Sequence, residues 1–275
     1  MRRIKDVVKF VAFFAFVVVS FFILYGTLSH YDFFAKGADF SNIRNLSGIT
    51  KIEANIKDVP ITVVENDVRG ITISSTVKNR GIGIITQPKA WEKNGVLYFN
   101  QGYVIGHNAK STGDITIEIP RSMTLDIDIE SGSGDVTIDT SASRNVFIDA
   151  PVGEITVKSK GDNLSINSVS GDINIEGVFK NTEIDTVSSD AKMYAGSDTN
   201  QICYESVSGD ATIYTHGVRG YNLLHEYSGG KVDEYFEVKE HYKAIFDIYV
   251  DTVDGSIDVI DFNDFLKREH KWNTF

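Results

Sequence analysis

A short polar segment recurs through the middle of this sequence at nearly constant spacing. The pentapeptide SVSGD occupies residues 168–172 and again 206–210, and TVSSD lies between them at 186–190. Related segments align with these on the residue that follows the small pair. The aligned residues are Asp114, Asp135, Glu154, Asp172, Asp190, Asp210, Gly230 and Ser256. Most are about 20 residues apart, a period typical of a chain that stacks one structural unit on the next.

Each period contains two short stretches in which apolar and polar residues alternate. Ile, Val and Thr dominate them, and no window keeps the 3.6-residue apolar stripe of a helix. From about residue 49 to 261 the sequence therefore predicts an all-β fold. We expect a single-stranded, right-handed, β-helix-like β-solenoid with rungs of about 20 residues. A β-sandwich is the alternative, because it also uses short, closely spaced strands.

Alternation within one period predicts which side chains face the core. In the copy at 169–176, Val169, Ile173 and Ile175 share parity with Gly171, and we expect them to point inward. The intervening polar residues, Asp172 among them, then face outward. Stacking would bury the inward set of each rung against the next, for example Val187 on Val169.

The corner residues have a conformational and a metal-binding interpretation. In the first, Gly tolerates positive φ and Asp bonds to nearby backbone N–H groups. This structural corner comprises Gly134, Asp135, Gly171, Asp172, Asp190, Gly209 and Asp210. In the second, stacking makes Asp172, Asp190 and Asp210 a column that holds Ca²⁺. No copy matches the nine-residue calcium repeat, so we expect the conformational role and no cofactor.

The N-terminus predicts a membrane anchor. Arg2, Arg3, Lys5 and Lys9 precede an uncharged, apolar stretch at 10–28, which is long enough to cross most of a hydrocarbon core about 30 Å thick. The positive flank places the N-terminus in the cytoplasm and exports the rest. A cleaved signal peptide is the alternative. We expect an uncleaved anchor over 1–28, a connector over 29–48, the repeat domain over 49–261 and a C-terminal cap over 262–275.

Charge and residue spacing argue against several activities. The net charge of −11 disfavours nucleic acid as a partner. The carboxylate pairs Asp126 with Asp128 and Asp233 with Glu234 suggest glycoside hydrolysis only weakly, because outward positions are often acidic. The six histidines show no zinc-binding spacing, and we predict no catalytic residues.

The single cysteine, Cys203, is expected to be a small buried side chain, with a reactive thiol as the alternative.

Aromatic residues cluster between 214 and 249. They could form an exposed face that binds glycan or protein, or fill a widening terminal core. The sequence leaves both interpretations open. The residues are Tyr214, Tyr221, Tyr227, Tyr235, Phe236, Tyr242, Phe246 and Tyr249.

The phrase GDITIEIPRSMTLDIDIESGSGDVTI at 113–138, followed by SVSGDINIEG and SVSGDATIY, resembles the toast-rack family of bacterial domains, which is also labelled as candidate adhesins. The resemblance extends from about residue 49 to 261. It implies an extracytoplasmic β-solenoid-like module, sometimes found beside proteins of cell-envelope stress responses. It supplies no catalytic residues.

These observations predict a non-enzymatic, adhesion-like interaction module of the bacterial cell envelope. It would cross the membrane once and present its repeat domain outside to an envelope protein or to cell-wall glycan. A sensory ectodomain of an envelope stress system is the alternative. A polysaccharide-active enzyme is a third and disfavoured possibility.

Overall fold

The computed structural model describes residues 48–261, apart from 87, 103, 217, 219, 228–230 and 235–245. Strands and turns make up this part of the chain, and the described residues contain no helix. The prediction of an all-β fold is therefore confirmed. None of the described segments is a helix long and apolar enough to span a membrane. The predicted anchor and C-terminal cap, and the predicted connector up to residue 47, lie outside the described residues.

Two sheets of ten strands contain almost all of the regular structure. The strands of the first sheet are β1 (Lys51–Ile56), β5 (Lys89–Lys93), β6 (Val96–Asn100), β9 (Asp126–Ser131), β11 (Asn145–Asp149), β13 (Gly161–Asn167), β15 (Phe179–Thr186), β17 (Gln201–Ser206), β19 (Tyr221–Tyr227) and β21 (Phe246–Thr252). The strands of the second sheet are β2 (Ile61–Asn66), β3 (Thr72–Ser75), β8 (Ile115–Pro120), β10 (Val136–Asp139), β12 (Ile155–Lys158), β14 (Ile173–Ile175), β16 (Ala191–Ala195), β18 (Ala211–Thr215), β20 (Lys231–Glu234) and β22 (Ser256–Asp261). A separate antiparallel pair joins β4 (Lys78–Ile85) to β7 (Val104–Thr112).

From β9 to β18 the chain alternates between the two sheets, and each strand pairs in parallel with the next one in its own sheet. The register places equivalent residues side by side: Ile129 pairs with Ile148, Ile148 with Ile166, and Ile166 with Ile184. The sequence period thus becomes a column of like residues. These ladders are parallel, whereas the β-sandwich alternative requires antiparallel sheets.

Both ends of the stack depart from chain order. Strand β1 lies between β6 and β9, and β2 lies between β8 and β10. At the other end, β21 lies between β17 and β19, and β22 between β18 and β20. Ser256 therefore stacks directly on Asp210, ahead of the copy that contains Gly230. At both ends, therefore, the repeats do not stack in the order in which they occur in the sequence.

The core lies between the two sheets and consists mainly of Ile and Val. Alternate residues of each strand are buried, as in β9, where Ile127, Ile129 and Ser131 are buried while Asp126 and Asp128 are only partly so. The buried residues of both sheets form one hydrophobic cluster. Burial of this shared face is the main stabilising contribution, because no single rung could remove it from water alone.

A ladder of asparagine side chains runs along the outer face of the first sheet. The Asn163 amide donates to the Asn145 side-chain oxygen at 2.7 Å, and the Asn181 amide donates to that of Asn163 at 2.8 Å. Asn145 in turn donates to Asp126 at 2.9 Å. Each amide bonds to the next because the parallel register places asparagine at the same position in three successive rungs.

The corner between β13 and β14 requires a glycine at residue 171. Gly171 has φ of +124°, and a Cβ there would lie 2.1 Å from the Gly153 carbonyl oxygen. Ser189 takes the equivalent position in the next rung and is fully buried. Ser189, by contrast, is not among the described residues that have positive φ. The same position of the repeat thus has two backbone conformations.

We predict that Gly171→Ser destabilises the fold far more than Ser189→Gly, although both replace one natural corner residue by the other. Gly171→Ser introduces a clash and an unfavourable φ, and should lower the free energy of unfolding by about 2–3 kcal/mol. Ser189→Gly should cost about 1 kcal/mol. Chemical denaturation measures both, and equal costs would contradict the difference between the two corners.

Candidate functional site

The corner that joins the first sheet to the second recurs from rung to rung along the stack. It comprises residues 149–154, 167–172, 185–190, 205–210 and 251–256, which we call the corner edge. Each segment begins at the end of a strand of the first sheet and ends at the start of a strand of the second. The parallel ladders on both sides bring the five segments into one row.

A buried hydroxyl begins most of these corners. Ser168, Thr186, Ser206 and Thr252 are the last inward residues of their rungs. The Gly209 N–H donates to Ser206 Oγ at 2.7 Å, and the Ser189 N–H donates to Thr186 Oγ1 at 3.1 Å. At these two corners the hydroxyl satisfies a backbone donor that the turn removes from the ladder. Ser168 Oγ instead accepts from the Ser189 hydroxyl at 3.2 Å, and Thr252 Oγ1 has no hydrogen-bond partner among the described residues.

The valines of the corner edge point outward, and the prediction that they face the core is wrong. Val169, Val187, Val207 and Val253 are between 43% and 51% exposed. The prediction continued the alternation backward from Ile173 through the turn, but alternation holds only within a strand. Alternation continued forward from Ile166 makes Ser168 inward and Val169 outward, as observed. Ile173 and Ile175 are buried as predicted.

Backbone hydrogen bonds hold these valines in register. The Ser188 N–H donates to the Val169 carbonyl at 3.0 Å, and the Ser208 N–H donates to that of Val187 at 2.9 Å. Next, the Asp254 N–H donates to the Val207 carbonyl at 2.9 Å. Val152, also exposed, lies one residue out of this column because it pairs with Ser170.

The acidic column of the corner makes hydrogen bonds to the backbone of the next rung. The Asp190 carboxylate accepts from the Asp210 N–H at 3.0 Å. The Asp210 carboxylate accepts from both the N–H and the hydroxyl of Ser256, at 2.7 and 2.8 Å. Asp135 accepts from the Glu154 N–H in the same way, at 2.9 Å. These contacts offset the repulsion between stacked carboxylates and agree with the conformational interpretation.

Metal binding finds no geometric support in the part of the chain that the structure describes. Within it, no group of three or more His, Cys, Asp or Glu side chains is placed to hold a metal ion. Asp190 and Asp210 already use a carboxylate oxygen for a backbone N–H. The cation column of Asp172, Asp190 and Asp210 therefore stays a hypothesis for solution measurement.

The carboxylate pair in β9 is engaged in ion pairs. Asp128 accepts from Lys51 Nζ at 2.7 Å, and this hydrogen bond raises the pKa of Lys51 above its usual value. Asp126 contacts Arg144 at 3.4 Å. These contacts indicate a role in binding neighbouring strands together. For the second pair, Asp233 and Glu234, the structure describes the backbone of β20 alone.

Cys203 lies on the outer face of the first sheet, so the expectation of a buried core cysteine is wrong. Its neighbours Ile202 and Tyr204 are buried, and Cys203 between them is half-buried. Partial burial, together with the nearby carboxylates of Glu205, Glu183 and Asp185, raises the pKa of the thiol to about 11.

The aromatic cluster divides between core and surface. Tyr221 and Phe246 are buried, with ring centroids 6.0 Å apart. Tyr249 is exposed, and the partly exposed ring of Tyr214 stacks on Tyr194 at 5.1 Å. The cluster therefore contributes residues both to the core and to the surface, and binding of glycan or protein by the exposed members stays a prediction. Tyr235, Phe236 and Tyr242 lie outside the described residues, as does the side chain of Tyr227.

Comparison with known proteins identifies the family. A model of the Toastrack DUF4097 family matches residues 49–260, and the chain belongs to this family. The resemblance drawn from the corner repeats is thereby confirmed. No curated protein matches the chain significantly.

Two solved structures are similar to the chain. One, from Clostridium sporogenes, is described as a candidate cell adhesion protein; it is 15% identical, covers 79% of this chain and 96% of its own, and gives a TM-score of 0.37. The other, a candidate adhesin from Bacteroides fragilis, is 13% identical, covers 80% of this chain and 95% of its own, and gives a TM-score of 0.42.

We predict that calcium does not change the stability of this protein. A ligand that binds only the folded state raises its melting temperature, and the carboxylates of Asp190 and Asp210 already accept hydrogen bonds from backbone N–H groups. Thermal unfolding with excess Ca²⁺ and with a chelator should give the same midpoint. A higher midpoint with Ca²⁺ that is lost in Asp190→Asn would instead establish the cation column.

We predict that Cys203 reacts slowly with alkylating reagents at pH 8. Raising the thiol pKa from 9.0 to about 11 reduces the thiolate fraction about 100-fold at that pH. The reaction rate should keep rising until the pH reaches about 11. Glu205→Gln removes a neighbouring charge and should shift this profile to lower pH. A profile that levels off near pH 8.5 would contradict the assignment.

Proposed function

We propose that this chain is a non-enzymatic, adhesion-like interaction module of the bacterial cell envelope, anchored in the membrane by residues 10–28. The observation that carries the proposal is the repeated corner edge, which presents the same exposed side chains in successive rungs. Such a surface suits contact with an extended partner. The family and the candidate adhesins among the similar structures agree with this function.

We further propose that the two sheets form one right-handed β-solenoid. The support is the alternation of strands β9 to β18 between the sheets and the parallel, in-register pairing within each. Right-handed crossovers are the strong preference for parallel strands. An experimental structure with left-handed crossovers would contradict this proposal.

Localisation and anchoring follow from the same proposal. The cationic flank and the apolar stretch favour a cytoplasmic N-terminus, with residues 49–261 outside. The acidic surface is compatible with export, because it resists adsorption to the anionic lipid of the inner membrane.

The ion pairs on the outer faces support a binding role over a catalytic one. Lys180 bonds to Asp162 at 2.6 Å, and Lys158 to Glu176 at 3.0 Å, so several carboxylates on the strand faces are already engaged. A glycosidase needs two carboxylates free to act on one bond. Among the described residues, the best candidate pair, Asp126 with Asp128, consists of two groups engaged in this way.

The test is a pull-down from envelope extract with the tagged full-length chain, together with binding to purified cell-wall glycan. The matched control carries the same tag on residues 1–48 alone. We expect the full chain, and not the control, to retain an envelope protein or the glycan, and protease added to spheroplasts to digest the repeat domain.

Other results would favour the alternatives. Recovery of a membrane signalling protein alone would favour the sensory ectodomain over the adhesion-like module. Glycan turnover that Asp126→Asn abolishes would establish an enzyme. A chain that stays in the membrane fraction after deletion of residues 10–28 would contradict the proposed anchor.

A further inference from the structure

The valines of the corner edge form an apolar row on the surface. Nine large hydrophobic side chains are exposed among those that the structure describes, and five are the valines of this one edge: Val152, Val169, Val187, Val207 and Val253. Single exposed apolar residues are ordinary, but a contiguous row marks a contact surface. Four of the valines, Val169, Val187, Val207 and Val253, are in register, and rungs about 4.8 Å apart give these four a length of about 14 Å.

The fold does not require valine at this position. The strand register places Lys57, Gly132 and Pro151 at the equivalent position in other rungs. A charged, a small and a cyclic residue are all compatible with the same corner. The valines are also absent from the hydrophobic core cluster of the described residues, so the core does not account for the choice of valine here.

Carboxylates flank the valine row on both sides. Asp149, Asp185, Glu205 and Asp251 precede it at the ends of the first-sheet strands. Glu154, Asp172, Asp190 and Asp210 follow it at the starts of the second-sheet strands, and Asp254 lies within the last corner. The corner edge thus carries nine carboxylates, and its five segments contain no Lys, Arg or His.

This charge pattern indicates which kind of partner can bind the corner edge. Pairing of the edge with a second copy of itself would bring nine carboxylates against nine, which disfavours a homodimer. An anionic lipid surface is disfavoured for the same reason. A surface that combines an apolar row with basic residues on both sides would complement it in hydrophobicity and in charge.

The spacing of the row indicates the conformation of that partner. Alternate side chains of a β-strand are about 6.7 Å apart, too far to match rungs about 4.8 Å apart. The apolar stripe of an α-helix recurs every three or four residues, which is about 5.3 Å along the axis on average. A helix therefore follows the row over several rungs, and a strand does not.

We infer that the corner edge is a docking surface for a basic amphipathic helix. The apolar stripe of the helix lies along Val169, Val187, Val207 and Val253, and its Lys or Arg side chains reach the carboxylates on either side. This inference rests on the proposed interaction function and names its surface and the chemistry of the partner.

The test measures binding of a synthetic helical peptide to the immobilised full-length chain in a neutral detergent. The peptide has about 18 residues, with Leu at i, i+4, i+7 and i+11, Lys on both flanks and Ala elsewhere. We expect saturable binding that weakens when NaCl is raised, because surface charge pairs are screened by salt. Peptides with Lys replaced by Glu, or with the leucines scrambled around the helix, should bind at least about tenfold more weakly.

Two variants of the protein locate the site. Val187→Ser with Val207→Ser removes the centre of the row, and should weaken binding about tenfold without changing the melting temperature. The matched control is Ile105→Ser, which removes an exposed apolar residue outside the edge and should leave binding unchanged. Asp185→Asn with Glu205→Gln should weaken binding and reduce its dependence on salt.

The inference is overturned if the scrambled peptide binds as tightly as the striped one, or if the valine variant binds like the unmodified chain. A dimer in sedimentation that the valine variant abolishes would also overturn it, in favour of a second copy. The envelope pull-down distinguishes a failure of the docking surface from a failure of the proposed interaction function. Partner capture without peptide binding contradicts only this surface, whereas peptide binding without any captured partner contradicts the interaction function.

Discussion

Parallel, in-register stacking is the constraint on which the rest of this structure depends. Each residue between β9 and β18 meets its equivalent in the next rung one strand spacing away, so the inward columns, and a few of the outward ones, repeat one kind of group. For Ile and Val the result is a continuous core, and for Asn it is a chain of amide hydrogen bonds. For aspartate the same repetition is unfavourable, and the N–H of the next rung offsets it, as Ser256 does for Asp210.

Much of the fold could be predicted from the sequence because alternation and period are local properties. The strand character of 49–261, the corners at Gly171 and Gly209, and the inward Ile173 and Ile175 all follow from residues near each other in the chain. The tight turn at Asn94 and Gly95 is of this kind, and both residues have positive φ as a hairpin requires. The position of β21 between β17 and β19 is not local. It depends on whether β17 pairs with β19, the next strand of its sheet in the chain, or with the later β21, and nothing in the local sequence distinguishes these two pairings.

The candidate site shows the same division. The outward acids and the turn glycines could be predicted residue by residue, because each acts within its own corner. The exposure of Val169 could not be predicted by alternation from Ile173, because the corner between the two strands interrupts the pleat. Val187 is exposed in the same way although Ser189 has no positive φ. The buried Ser168 holds the missing signal: a polar residue at the end of an inward series marks where the strand ends and the corner begins. Cys203 follows the regular alternation of β17, which makes it an outward residue between Ile202 and Tyr204.

The order of the strands at the N-terminal end bears on how the domain would carry load. Strand β1 follows the predicted connector, yet it is bonded on one side to β6 and on the other to β9. A terminal strand at a sheet edge would be hydrogen-bonded to one neighbouring strand, whereas β1 is bonded to two. At the outer edge, β5 is antiparallel to β6 and carries the exposed, charged residues Lys89, Glu92 and Lys93, which discourage further strand pairing. A pull on the proposed anchor would therefore act on the interior of the first sheet, where two ladders resist it, and not on a strand held by one.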